Sequence, residues 1–93
     1  MNNMLETRWE RSKGRWGGTY RYFNLCGLHT VLSRVEREGD GWRWTVYMTA
    51  RQAAKGEKPL IDPPTGTART LAEAKQMIST TYRVLTWELA TRK

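Results

Sequence analysis

The segment GDGWRWTVYM, residues 39–48, limits the fold of this chain more than any other stretch. Its apolar and polar residues alternate: Trp42, Trp44, Val46 and Met48 against Arg43, Thr45 and Tyr47. Because successive side chains of a strand point to opposite faces, the alternation predicts a strand with one apolar face. Gly39-Asp40-Gly41 precedes it, and these residue types tolerate the backbone angles of tight turns. The segment therefore predicts a β-hairpin whose tryptophans lie in the core.

The two strands upstream are less sharply defined. In the first strand of the hairpin, Val31 and Val35 share one face and Leu32 falls on the other. The register of this strand is therefore open by one residue, and a one-residue shift would exchange its faces. The segment GGTYRYFNLCG, residues 17–27, is bounded by glycines and rich in aromatic residues, which predicts another strand pairing with the hairpin.

The C-terminal segment carries helical signals. Thr70 is followed three residues later by Glu73, the spacing of a capping box. Apolar residues then recur at steps of three and four, which predicts a helix with a stripe facing the sheet: Leu71, Ala74, Ile78, Tyr82, Leu85 and Leu89. Three further residues are expected to broaden this stripe: Met77, Val84 and Trp87.

These elements predict an α+β fold, a three- or four-stranded antiparallel β-sheet with one C-terminal α-helix packed on one face. A chain of 93 residues makes one domain, residues 1–93. Residues 17–50 are assigned to the sheet and 70–91 to the helix. Residues 51–69 are predicted as a long loop because they contain all three prolines. Residues 1–16 are predicted as a flexible basic arm, with strand and short helix as alternatives.

Several classes of protein are excluded on composition. The chain has one cysteine, Cys26, and one histidine, His29, so neither a disulfide framework nor a zinc cluster is expected. A reducing compartment, the bacterial cytoplasm, fits this cysteine usage. The N-terminus lacks the apolar core of a signal peptide, and no stretch approaches the length of a membrane span. We therefore expect no metal, no cofactor and no membrane partner.

Catalytic motifs are also missing from the sequence. There is no glycine-rich phosphate loop, no nucleophile elbow and no metal-ligand spacing. Cys26 and His29 lie three residues apart in a glycine-flanked turn and are expected to be structural. We expect a protein that is not an enzyme, with no catalytic residues and no small-molecule substrate.

The charge favours anionic partners. Sixteen Lys and Arg oppose nine Asp and Glu, a net charge of +7. Such a balance attracts phosphate backbones. Residues 8–22 interleave aromatic residues with five cations, which are candidates for nucleic-acid or partner binding: Arg8, Arg11, Lys13, Arg15 and Arg21. The alternative is that these aromatic residues are core and the cations merely their solvated neighbours.

The order of elements resembles AP2-type and phage-integrase arm-binding domains, in which a three-stranded sheet precedes a helix. The resemblance rests on GWRWTVYM followed by GTARTLAEAKQMI, with these matching positions: Trp44, Val46, Gly66, Thr70, Glu73 and Ala74. In that family the sheet face opposite the helix enters the DNA major groove. The resemblance therefore implies a reading surface formed by Arg34, Arg43, Thr45 and Tyr47.

Two classes of function stay open. The first is a nucleic-acid-binding module, of DNA or RNA, in which the Arg-rich face contacts the backbone. The second is an inhibitor that blocks a host nucleic-acid-binding protein complex, since the chain is similar in size and style to small phage and mobile-element accessory proteins, including anti-CRISPR inhibitors. In either class Arg43 is predicted to contact the partner, and the alternative for Arg43 is an ion pair with Glu36 or Glu38.

Overall fold

A computed structural model describes residues 6–12 and 21–91 of the chain, the last three by their backbone alone. Its seven elements are β1 (Thr7–Ser12), β2 (Arg21–Cys26), β3 (Thr30–Glu38), β4 (Gly41–Val46), α1 (Ala50–Ala54), β5 (Thr65–Ala68) and α2 (Leu71–Thr91). The five strands form one antiparallel sheet in the order β1-β2-β3-β4-β5. The α+β fold with a C-terminal helix is confirmed, and the sheet has five strands where three or four were predicted.

The additional strands lie at the two edges of the sheet. β1 arises in the segment predicted as a basic arm and pairs with β2 over six residues. β5 arises in the segment predicted as a long loop, directly after Pro64, whose carbonyl accepts a hydrogen bond from the Val46 N–H at 2.9 Å. The same segment holds the short helix α1, which begins at a capping box between Thr49 and Gln52. The segment 51–69, predicted as a long loop, therefore contains most of a short helix at its start and a strand near its end.

A β-bulge resolves the open register of β3. Asn24 of β2 pairs with Ser33, whereas the next residue, Leu25, pairs with Val31. Leu32 is therefore an extra residue in the ladder, and a bulge of this kind interrupts the strict alternation of faces. Leu32 packs in the core beside Tyr82 of α2, so it lies on the helix side of the sheet, as Val35 does. The prediction that Leu32 and Val35 lie on opposite faces is therefore wrong.

The core lies between α2 and the sheet. Val35, Trp44, Val46 and Ala68 of the sheet pack against the helix stripe, whose members with described side chains contact them as expected: Leu71, Ala74, Ile78, Tyr82 and Leu85. The three residues expected to broaden the stripe are instead exposed, at 41% for Met77, 50% for Val84 and 69% for Trp87. They lie on helix faces turned away from the sheet. The Leu89 side chain falls outside the part that the structure describes.

Two contacts position the start of α2 and the strand β5. The Thr70 hydroxyl accepts a hydrogen bond from the Glu73 N–H at 3.1 Å, the N-terminal cap that the spacing predicted. The indole of Trp44 lies against Gly66 of β5, and a Cβ at Gly66 would lie 2.7 Å from Cζ2 of that ring. Glycine is therefore required beside Trp44 for steric reasons.

Tyr82 connects α2 to the sheet through a buried polar network. Its hydroxyl is hydrogen-bonded to Asn24 Oδ1 at 2.8 Å and to Ser33 Oγ at 2.7 Å. Asn24 also donates from Nδ2 to the Arg8 carbonyl at 3.2 Å, so the network reaches the edge strand β1. Burial raises the pKa of Tyr82 above its usual range. Three strands and the helix are thus joined by one phenol and one amide.

Replacing Tyr82 with phenylalanine is expected to lower the free energy of unfolding by about 1–2 kcal/mol. The substitution keeps the ring but leaves the buried Asn24 and Ser33 oxygens without their shared partner, and an unsatisfied buried polar group costs about this much. Urea denaturation followed by circular dichroism measures the effect. Tyr47→Phe is the matched control, since no hydrogen bond to the sheet is lost there, and an equal cost in both variants would contradict the role of the network.

Candidate nucleic-acid interface

The sheet face turned away from α2, called the open face below, carries two rows of side chains that cross all five strands. Directly paired residues of antiparallel strands lie on the same face, so the register defines these rows. The first row is Ser12, Arg21, Glu36, Arg43 and Thr67, and the second is Glu10, Phe23, Arg34, Thr45 and Thr65. Both helices of the described part pack on the other face.

Three arginines of the open face lie on three consecutive strands. Arg21 of β2 and Arg34 of β3 both approach the Glu36 carboxylate, with N to O distances of 3.4 Å and 3.3 Å. Arg43 of β4 holds the Glu38 carboxylate through two nitrogens, and the hydrogen bond from Arg43 lowers the pKa of Glu38. The ion pair considered as the alternative for Arg43 is therefore present, with Glu38 as the partner.

Arg8 also lies on the open face but is bound to the protein itself. It donates from Nη1 to the Gly27 carbonyl at 2.6 Å, from Nη2 to the Leu28 carbonyl at 2.9 Å and from Nε to Glu10 at 2.7 Å. Gly27 has a positive φ of 61° at the turn between β2 and β3. Arg8 thus ties this turn to β1, and its guanidinium group is engaged in hydrogen bonds within the protein.

The other residues of the predicted reading surface differ in their exposure. Thr45 is 9% exposed, and its hydroxyl is hydrogen-bonded to the Thr65 hydroxyl at 3.2 Å. Tyr47 follows the last residue of β4 and is half-buried, with its backbone bonded to Leu32 and Leu60. The charged groups of the predicted reading surface are therefore those of Arg34 and Arg43, which lie on the same face of adjacent strands.

The basic cluster of residues 8–22 is divided between the two faces. Arg8 and Arg21 lie on the open face, while Arg11 pairs with Tyr22 on the face of α2. Lys13 and Arg15 fall outside the residues that the structure describes. Alternation along β1 causes this division, because neighbouring residues of a strand point to opposite sides.

A second surface was not predicted from the sequence. The ring–cation chain, as it is called below, consists of Trp9, Lys75, Tyr22, Trp42 and Arg37 and lies on the α2 side of the sheet. Lys75 Nζ lies 4.9 Å from the Trp9 ring centroid and 5.6 Å from that of Tyr22. The Tyr22 ring meets Trp42 edge-on at 5.8 Å, and the Arg37 guanidinium lies 5.3 Å from the Trp42 centroid. The three rings are half-buried.

Charge is distributed unequally between the two faces of the sheet. The three carboxylates of the described strands, on Glu10, Glu36 and Glu38, all lie on the open face. The strand positions on the α2 side carry none, although they include Arg11 and Arg37. The arginines of the open face therefore lie next to carboxylates. Arg11 and Arg37, on the α2 side, share their strand face with no carboxylate.

Within residues 6–12 and 21–91 no group of three or more His, Cys, Asp or Glu side chains is placed to hold a metal ion. Cys26 is buried, and this burial raises the pKa of its thiol, while His29 is exposed in the following turn. None of the described helices is both long enough and apolar enough to cross a membrane.

Comparison of the chain with protein-family models, with curated proteins and with solved structures finds no match.

Proposed function

We propose that this protein is a small, non-enzymatic module that binds nucleic acid through an arginine and aromatic surface. The observation that supports the proposal best is the presence of Arg21, Arg34 and Arg43 on three consecutive strands of the open face. Adjacent strands lie about 4.8 Å apart, so the three guanidinium groups can reach neighbouring phosphates of one backbone. Guanidinium groups bind phosphate oxygens in pairs, which favours a backbone ligand.

The carboxylates on this face are compatible with phosphate binding. The pair of Arg43 with Glu38 is solvent-exposed, with side-chain exposures of 40% and 51%, whereas the Glu36 side chain that Arg21 and Arg34 share is half-buried. Exposed ion pairs contribute at most about 1 kcal/mol, so a phosphate can replace a carboxylate at small cost. Glu36 and Glu38 hold the three arginines in position through these ion pairs. The net charge of +7 adds long-range attraction for a polyanion.

Arg43→Glu is expected to weaken binding of duplex DNA at least tenfold, because it removes one cation and places a third carboxylate beside Glu36 and Glu38. Fluorescence anisotropy with labelled duplex and single-stranded DNA measures the affinity. For the wild type, roughly five phosphate contacts predict a slope of log affinity against log salt of about −4 to −5 with duplex. The variant should lose about 0.9 of that slope.

The matched control is Arg83→Glu, which makes the same charge change at an exposed position of α2. Its affinity should stay within about threefold of the wild type, since general charge acts weakly at physiological salt. Circular dichroism verifies that both variants fold. The proposal is wrong if wild-type protein binds neither DNA at about 50 mM salt, where electrostatic binding is much stronger than at physiological salt.

A second candidate function is inhibition of a host nucleic-acid-binding complex, such as a CRISPR effector. Three exposed apolar side chains on α2 favour it, Met77, Val84 and Trp87, because tryptophan and methionine are enriched at protein interfaces. Expression in a bacterium with an active nucleic-acid-targeting defence system should then restore phage infection. Val84→Asp should abolish this effect, and unchanged phage titres with wild-type protein would contradict it.

A further inference from the structure

We propose that the ring–cation chain is a binding site for single-stranded nucleic acid, separate from the open face. The inference rests on the proposed function, that the protein binds nucleic acid, and it assigns a substrate class and a second surface. Cations and aromatic rings lie side by side in this site. Lys75 contacts the rings of both Trp9 and Tyr22, and Arg37 lies against the ring of Trp42. Trp9 and Tyr22 belong to the aromatic residues of the predicted 8–22 cluster, whereas Lys75, Trp42 and Arg37 were not predicted as binding residues from the sequence.

Single strands are recognised by this combination of groups. Unpaired bases stack on aromatic rings, and the phosphates between them contact neighbouring cations. The half-buried rings of Trp9, Tyr22 and Trp42 come from three strands, so they are held by the sheet and not by flexible loops. Such a fixed series of rings accepts successive bases without selecting their sequence.

Charge complementarity also favours this surface. The strand positions on the α2 side carry no carboxylate in the described part, so a phosphate entering beside Lys75 and Arg37 meets no acid on that strand face. On the open face, by contrast, each phosphate would have to displace Glu36 or Glu38 from its arginine. Carboxylates of other positions lie near one end of the ring–cation chain, since Glu73 of α2 and Glu38 at the end of β3 line the same pocket as Trp42.

The shape of this side of the molecule favours a single strand over a duplex. α2 packs mainly on β4, with β3 and β5 beside it, and leaves Trp9 of β1 and Tyr22 of β2 at its flank. A helix with its side chains is about 10–12 Å across, so α2 rises above the sheet surface beside the rings. A flexible single strand of nucleic acid can lie next to α2 and reach the rings. The bases of a duplex are stacked and paired and cannot reach them.

The experiment compares a labelled oligo(dT) of about 15 nucleotides with a duplex of the same length, a size that covers one to several binding sites. The double variant Lys75→Glu/Arg37→Glu should bind oligo(dT) at least tenfold more weakly and the duplex less than threefold more weakly. Its salt slope with oligo(dT) should fall by about 1.4, which is two cations at 0.7 each. The matched control, Lys58→Glu/Arg83→Glu, makes the same charge change at two exposed positions outside the site and should bind oligo(dT) within threefold of the wild type.

A second variant tests stacking without changing charge. Trp9→Leu keeps an apolar side chain but removes the ring, and it should reduce affinity for oligo(dT) at least fivefold, whereas Trp9→Phe should restore most of it. Unchanged oligo(dT) binding in the Lys75/Arg37 double variant would overturn the inference. If Arg43→Glu alone abolishes binding of both DNAs, the open face is the only site and the proposed function stands. If the wild type binds neither DNA, the proposed function itself is wrong.

Discussion

Replacing Trp44 with alanine should lower the free energy of unfolding by about 3–5 kcal/mol, the usual cost of truncating a large aromatic side chain in a core. Trp44 is 6% exposed and packs with Val35 and Val46 of the sheet and Ile78 of α2. Its ring also lies against Gly66, so its removal opens a cavity between β4, β5 and the helix. Urea denaturation monitored by circular dichroism measures the change in unfolding free energy.

Tyr47→Ala is the comparison for Trp44→Ala. Tyr47 is half-buried, follows the last residue of β4 and belongs to neither buried core cluster. Its truncation is expected to cost at most about 1 kcal/mol, as for substitutions outside the core. If Tyr47→Ala destabilises the protein more than Trp44→Ala, the assignment of the two faces of β4 is inverted, and the open-face residues would have to be reassigned.

Gly66→Ala is expected to destabilise the protein by about 1–3 kcal/mol, the usual cost of inserting a group into a packed site. The new Cβ would lie 2.7 Å from Cζ2, 2.9 Å from Cε2 and 3.0 Å from Nε1 of Trp44. The buried indole has core neighbours on its other sides and cannot move away without disturbing them. The same denaturation experiment measures this effect.

A double-mutant cycle identifies the cause of the Gly66 effect. In a Trp44→Ala background the indole is absent, so Gly66→Ala should cost about 0 kcal/mol, and the coupling energy then equals the steric term. Gly41→Ala is the matched control, because its Cβ would lie 2.7 Å from the backbone oxygen of Ala68. Its cost should persist in the Trp44→Ala background. An undiminished Gly66→Ala cost there would exclude the indole contact as the cause.

The elements that were predicted correctly have local signals. The hairpin of β3 and β4 follows from seven alternating residues and a turn at Gly39, which has a positive φ of 61°. The start of α2 follows from the Thr70 and Glu73 spacing, and its buried stripe from steps of three and four residues. Each signal lies within a few residues of the structure that it specifies, so no knowledge of distant contacts is needed.

The elements that were missed depend on distant parts of the chain. β1 has one half-buried apolar residue, Trp9, and β5 has no large apolar side chain, so neither shows an alternating pattern. Both strands form by pairing with a neighbouring strand, β1 with β2 and β5 with β4, through backbone hydrogen bonds. The bulge at Leu32 likewise depends on the pairing of β2 with β3 and cannot be derived from the apolar pattern of β3 alone.

The candidate surfaces follow the same rule. Arg34 and Arg43 could be placed on one face because alternation along β3 and β4 is local, although their role in binding stays a prediction. The choice between Glu36 and Glu38 as partner of Arg43 required side-chain positions. The ring–cation chain joins residues of β1, β2, β3, β4 and α2, so only the complete register brings them together.

The order of the strands in the sheet has a consequence for how the chain folds. The strands β1 to β4 pair in sequence order across short connections, so this part of the sheet can grow by successive local hairpins at little cost in chain entropy. β5 joins β4 only after the longer connection 47–64, which contains α1. The contact of Tyr82 with Asn24, by contrast, joins residues that are 58 positions apart, so it closes a long loop of the chain. We expect the sheet to form early and the docking of α2 to complete folding, with the hydrogen bonds of Tyr82 made after the rate-limiting barrier.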